Sequence, residues 1–295
     1  MIDNKKLLKN SKPKSNYLKK DTKLPDIQNN NTDIELVINK VGITNIVMPV
    51  KISTKCLHTI TSTAKFSIYV DLNKMQKGTH MSRFITELQD YINTPISSNS
   101  LKKVAKKICS ELESTECFIE CSFKYFINKT SPITNFTGLM DYDVIFKSHY
   151  KLLTKSKDTN YTDADFFSMI VKIPVTAVCP CSKEISDYGA HNQRGIVTIE
   201  INIHPDYKDI IWIEDLIKIA EKNSSCELFP ILKRADEKYV TEKGYRQAQF
   251  VEDTVRKIAN EILKYKEDNK ILNYKIECMN YESIHNHEAY AMIRG

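Results

Sequence analysis

The same succession of periodicities runs twice along this chain: two stretches alternating with period two, two with apolar residues three and four apart, then two more alternating stretches. Alternation sends successive side chains to opposite faces of a strand, whereas spacings of three and four gather them on one side of a helix. In the first half, strands are expected near residues 46–57 and over 64–72 (AKFSIYVDL), helices over 81–92 and 101–112, and strands again over 117–126 and 142–153. Gly78 and the turn around Pro95 supply the breaks. In the second half, residues 166–178 and 195–204 are rich in Val, Ile and Thr and predict long strands. Ile213, Leu216, Ile217 and Ala220 mark one helix face and Phe250, Val251, Val255, Ile258, Ile262 and Leu263 a second, before strands over 274–281 and 287–293. The pattern predicts an α+β protein of two tandem ββααββ units with antiparallel sheets and paired helices. They span 34–160 and 161–295, joined between Lys155 and Asp163, after a tail and polar linker over 1–33. Sheets covered by helices on one face leave a face and edges to be covered, which favours assembly of several copies.

A chain of 295 residues with 41% hydrophobic content can bury a sizeable core. It has no run of 18 apolar residues and no secretory leader pattern, so a cytoplasmic protein with no membrane partner is expected. The formal charge of +6 is concentrated in residues 1–23, which hold eight lysines against two aspartates and leave the remainder neutral. A neutral body argues against nucleic acid as a partner of the folded part. The tail, rich in Lys and Asn, is expected to be disordered because it has little apolar surface to bury.

Eight cysteines in an intracellular chain point to thiols or metal ligands rather than a disulfide framework. Cys117 and Cys121 lie four apart in an alternating stretch and read as core on one strand face, and Cys56, Cys109 and Cys278 are read the same way. Cys179, Cys181 and His191 differ. They fall in CPCSKEISDYGAHNQR (179–194), between the end of one expected strand and the start of the next. A thiolate and an imidazole converging there make a partial site for a borderline-soft divalent ion, although the spacing alone suits a structural zinc site or an incidental arrangement equally well. Ser182, Lys183, Glu184, Ser186, Asp187, Tyr188, Asn192, Gln193 and Arg194 make this segment more polar than a plain connection requires.

This run, with SCELFPILKRADEKYVTE (225–242), YESIHNHEAYA (281–291), GTHMSRF (78–84) and LPDIQ and INKVGI near the start, resembles the type IB GTP cyclohydrolases from residue 24 to the C-terminus. The resemblance implies the tunnelling fold, two ββααββ modules per subunit, an oligomeric barrel assembled as a homotetramer, and active sites at subunit interfaces. It implies conversion of GTP and water to 7,8-dihydroneopterin triphosphate and formate, the entry to tetrahydrofolate synthesis, with queuosine as another destination. Residue by residue, Cys179, His191 and Glu227 fall on ligands of a divalent metal ion: zinc, manganese or iron(II). Glu242 falls on the carboxylate that anchors guanine, and Glu282, His285 and His287 join Cys179 and His191 as catalytic groups. Lys183 and Arg194 are candidates for the triphosphate, with Lys233 and Arg234 beside them.

The residue types suit these roles. A carboxylate such as Glu242 can accept the N1–H and the 2-amino hydrogens of guanine together, a pair that adenine does not offer. His285 and His287, at i and i+2, are expected on one face of a continuing strand, placed for proton transfer. Competing readings are an archaeal-type enzyme that stops at a cyclic phosphate and a non-enzymatic binding module with a closed structural zinc. A tunnelling-fold nitrile reductase would need an ESKSLK-type stretch and a zinc nucleobase deaminase would need HxE and PCxxC; both patterns are missing.

Overall fold

The alternation in TITSTAKFSIYVDL becomes a strand that buries Ala64, Phe66, Ile68, Val70 and Leu72 and leaves Lys65 and Thr63 in solvent. The computed structural model describes residues 26–89, 91, 93–152 and 163–295. In chain order it comprises β1 (Ile38–Ser53), β2 (Thr59–Leu72), α1 (Met81–Gln89), α2 (Ser98–Leu112), β3 (Glu116–Thr130) and β4 (Thr137–Leu152), then β5 (Asp163–Val178), α3 (Pro180–Ile185), β6 (Asn192–Ile203), α4 (Ile213–Lys222), β7 (Cys226–Glu227), α5 (Arg234–Arg246), α6 (Val251–Glu267), β8 (Ile271–Asn280) and β9 (Ala289–Arg294). The expected order therefore appears in both halves, but α3, β7 and α5 interrupt the second. The basic tail over 1–23 and most of the expected junction lie outside the described residues. The linker at 28–32 is pinned along 75–79: Gln28 Nε2 donates to the Thr79 carbonyl at 2.9 Å, and Lys77 N–H donates to the Asn30 carbonyl at 2.9 Å.

All strand pairs are antiparallel and form one sheet in the order β1-β2-β3-β4-β5-β6-β8-β9, with β7 paired to β5 at Val175 and Thr176, beyond the last β4–β5 pair at Asp143 and Lys172. The register explains why one face is core. Phe66, Cys121, Phe146, Met169, Ile201 and Tyr274 are successive cross-strand partners from β2 to β8, and all are buried. The neighbouring row, Ser67, Glu120, Lys147, Ser168, Asn202 and Asn273, is polar throughout. A period of two thus gives the sheet one apolar face, on which α2 packs across β3 and β4, α4 on β5, and α6 on β8 and β9. Each large apolar side chain buried there stabilises the fold by about 1.5–3 kcal/mol. Cys109, Cys117, Cys121 and Cys278 are core residues as expected, whereas Cys56 is exposed in the β1–β2 turn rather than buried. Among the described residues no helix is long and apolar enough to cross a membrane.

Two acids fix α4 beneath the sheet. Tyr125 donates to Glu214 at 2.6 Å, while Lys129 and Tyr142 meet Glu221 at 2.6 and 2.9 Å. The helix thereby delivers the chain to β7.

Helix α5 has almost no apolar stripe, its buried residues being Asp236 and Gly244. Gly244 is its point of closest approach to the sheet, since a Cβ there would lie 3.3 Å from Val178 Cγ2. Its first turn is held by polar contacts. The buried Asp236 carboxylate accepts the N–H groups of Ile133, Thr134 and Lys233 at 2.9 Å each, and the Thr134 hydroxyl as well, which ties the β3–β4 turn to the start of the helix. Burial alone would raise this carboxyl's pKa, but the four donors outweigh it and hold the group well below the usual carboxylate range. A depressed folded pKa contributes stability that is present above the unfolded value, about 4, and is lost as pH falls through the folded value. Asp236→Asn is therefore expected to lower Tm at pH 7, with the gap to wild type narrowing steadily below about pH 4. Thermal melts across pH 2.5–7 check this; equal gaps at both ends would show that the charge is immaterial.

Candidate active site

Strand β5 ends at Val178, two residues before Pro180. Proline has no N–H for a ladder but suits the first position of a helix, so the chain turns into the short α3 with Cys179 as its N-cap. The Cys179 sulfur takes the Ser182 N–H at 3.5 Å. The Ser182 hydroxyl donates to the Cys179 carbonyl at 3.2 Å and accepts the His191 N–H at 3.1 Å, stapling the returning chain to the strand end. Cys179 N–H then donates to the His191 carbonyl at 3.2 Å, one step beyond the Val178–Asn192 pair of β5 and β6. Cys179 and His191 are therefore backbone neighbours at the mouth of the β5–β6 ladder. Cys181 is exposed on α3.

The His191 ring is nearly enclosed, its side chain 15% exposed. Nδ1 lies 2.9 Å from Gln193 Oε1 and 3.8 Å from Glu282 Oε2, and Gln193 Nε2 donates to Glu282 Oε1 at 3.3 Å. Glu282 reaches this point because β8 ends at Asn280 and the Tyr281 N–H donates to the Arg194 carbonyl at 2.9 Å, anchoring the following turn against β6. Among the described residues, Nε2 of His191 makes no hydrogen bond.

Glu227 stands apart from this pair. It sits on β7 opposite Val175, and its carboxylate is 2.5 Å from Lys243 Nζ on α5. Burial works to raise its pKa, but Lys243, with Lys129 further off, holds it below the usual carboxylate range. The neighbouring Cys226 thiol is pushed up to about 12 by burial and by the Glu227 carboxylate. Among the described residues no group of three or more His, Cys, Asp and Glu side chains comes together to hold a metal. The expected trio of Cys179, His191 and Glu227 is therefore not assembled here: Cys179 and His191 are backbone partners, while Glu227 is engaged by Lys243, a contact that no spacing rule announces.

Glu242 is half exposed on α5, 3.7 Å from Lys238 and 3.6 Å from Arg246. It lines a cleft of about 540 Å³ whose other wall is Tyr188, Gly189, Ala190 and Asn192, the segment that leads into His191. A second cleft, of about 940 Å³, contains Arg194, Glu227, Lys172 and Tyr281. The two clefts adjoin at Thr176 and Val240, which line both. Lys183 leans over the Tyr245 ring at 4.6 Å, beside the smaller cleft that Tyr245 lines, and Arg194 lines the larger one. Lys233 caps α5 with its amino group 5.0 Å over the Phe136 ring, and Arg234 begins the helix.

His285 and His287 are not on a continuing strand. Residues 281–288 form a turn before β9 begins at Ala289, and the two rings stack there in solvent, 4.7 Å apart and 14° from parallel. They share that turn with Glu282.

The chain matches the family described as type I GTP cyclohydrolase FolE2 over residues 24–291. It is 45% identical over 278 residues to a protein of Nitrosomonas eutropha named GTP cyclohydrolase FolE2, covering 94% of this chain and 98% of that one. A protein of the same name from Magnetococcus marinus is 41% identical over 272 residues, covering 92% and 96%. Among solved structures, a uricase from Bacillus fastidious superposes with a TM-score of 0.53 at 8% identity, covering 90% of this chain and 94% of that one, which bears on the fold alone.

Proposed function

The chain belongs to the type I GTP cyclohydrolase FolE2 family and is a GTP cyclohydrolase; from that premise we propose that it acts in the type IB manner, opening the guanine ring in the adjoining clefts of Glu242 and Glu227 and releasing formate and 7,8-dihydroneopterin triphosphate for folate synthesis. The observation that carries this reading is the placement of Glu242 on a cleft whose opposite wall runs directly into His191. A base anchored at the first would present its imidazole edge towards the second.

The donor chemistry of Cys179 and His191 fits a divalent ion. The sulfur is half-open at a helix start and the imidazole has one nitrogen engaged and the other free, the usual state of a ligating histidine. Glu227, which pairs with Lys243 in this structure, would be the third residue to hold the ion. An ion held there would supply an activated water for attack at C8. The chain's own groups do the rest. Glu242 accepts the N1–H and 2-amino hydrogens and so fixes the ring and selects guanine over adenine. His285 and His287, on the turn shared with Glu282, exchange the protons needed at the ring nitrogens and at the departing formyl group. Lys183 and Arg194 offer charge to the triphosphate.

Glu242, His285 and His287 are exposed in the single chain, as are Glu120 and Lys147 on the polar face of the sheet, which supports a site completed by further copies in a homotetramer. Chelator-treated protein reloaded anaerobically with zinc, manganese or iron(II) should turn over GTP and leave ATP untouched. Full metal occupancy with neither nucleotide binding nor formate would favour a structural zinc, and a cyclic phosphate product would favour the archaeal-type reaction.

A further inference from the structure

We propose that Gln193 is a positioning residue: its amide, oriented by Glu282, holds His191 in the tautomer that presents Nε2 as a lone-pair donor. The inference rests on the reading of His191 as a ligand. Gln193 is 9% exposed at the start of β6, opposite the small Ala177, which leaves room for its side chain to lie along the sheet towards His191. Its two hydrogen bonds fix the amide. The nitrogen donates to Glu282 Oε1 at 3.3 Å, and the reverse orientation would set two acceptor oxygens against each other. The amide oxygen consequently faces Nδ1 of His191 at 2.9 Å, where only an N–H satisfies it. The proton sits on Nδ1 and the free pair on Nε2. Glu282 Oε2, at 3.8 Å from Nδ1, is too far to make this bond itself. A neutral amide in this place passes on the orientation without adding a second negative charge beside Glu282.

Groups that orient a ligating histidine typically account for about 10–100-fold in metal affinity or activity. Two full-length variants test the assignment: Gln193→Met, which keeps the shape and removes the amide, and Gln193→Glu, which keeps an acceptor for Nδ1–H. The readouts are the ¹⁵N histidine spectrum of metal-free protein, with His191 identified through His191→Asn, and the zinc Kd. Wild type should show the Nδ1–H tautomer. Gln193→Met should show mixed tautomers, a zinc Kd raised about 10–100-fold, and a fall in kcat with little change in KM. Gln193→Glu should keep the Nδ1–H tautomer and recover most of the zinc affinity, because a carboxyl so close to Glu282 holds a proton and so keeps both the donor and the acceptor of the amide. Wild-type tautomer and affinity in Gln193→Met would overturn the assignment, as would a loss in Gln193→Glu as deep as that in Gln193→Met. If Gln193→Met does not fold, Gln193→Glu decides. A tautomer shift in a protein that releases no formate would leave the positioning role standing and sink the functional reading instead.

Discussion

Cys179→Ser is expected to remove bound metal and formate release together, while Cys181→Ser should be much milder in both. The two cysteines are one residue apart, but only Cys179 is locked to His191 by a backbone hydrogen bond and bridged to it through the Ser182 hydroxyl. Cys181 points into solvent. Replacing the thiolate by a hydroxyl takes away a charge and a soft donor, and the loss should exceed the roughly 10–100-fold typical of groups that merely orient a ligand. Metal content per chain and turnover, measured on the same preparations, check this. Equal losses in both variants, or turnover retained in Cys179→Ser, would contradict the ligand assignment.

Glu242→Gln should cut kcat/KM for GTP by about a hundredfold while bound metal stays at its starting level. The amide is nearly isosteric, but its nitrogen turns one of the two guanine contacts into a donor facing a donor. Such a buried mismatch costs about 3 kcal/mol, which is roughly a hundredfold. Metal should be spared because Glu242 contacts Lys238 and Arg246 rather than the Cys179–His191 pair. Those exposed ion pairs contribute little, so circular dichroism and oligomer size should not change. Loss of metal in this variant, or normal turnover, would move the guanine anchor to Glu227 or Glu282.

The sheet was legible in the residues because strict alternation at Phe66, Ile68 and Val70, or at Val171, Ile173 and Val175, reflects one buried face. Strand lengths were less so. β1 begins at Ile38, well before residue 46, and its register shifts between Ile38 and Val41 and again between Ile43 and Ile46 break the alternation that would have revealed it. Helix α5 escaped because polar clamps hold it: Asp236 at its first turn and Lys243 on Glu227, with no apolar face to give a period. Cys179 and His191 could be paired from the sequence because they flank a short connection between adjacent strands. The engagement of Glu227 by Lys243 depends on how α5 packs on β7, and the link from Glu282 to Gln193 joins residues far apart in the chain. Of these four residues, only Gln193 lay in the polar run after Cys179. His285 and His287 were singled out by the resemblance, but the strand alternation expected to set them on one face does not occur; stacking in a turn puts the rings side by side.

Incubating the metal-loaded protein with GTP carrying ¹³C at C8, and following the label by NMR, tests ring opening at this site most directly. The labelled carbon should leave as formate in step with the appearance of 7,8-dihydroneopterin triphosphate, at a rate that Glu242→Gln reduces about a hundredfold. A label that remains in the purine, or formate released at the same rate by wild type and by Glu242→Gln, would contradict the account.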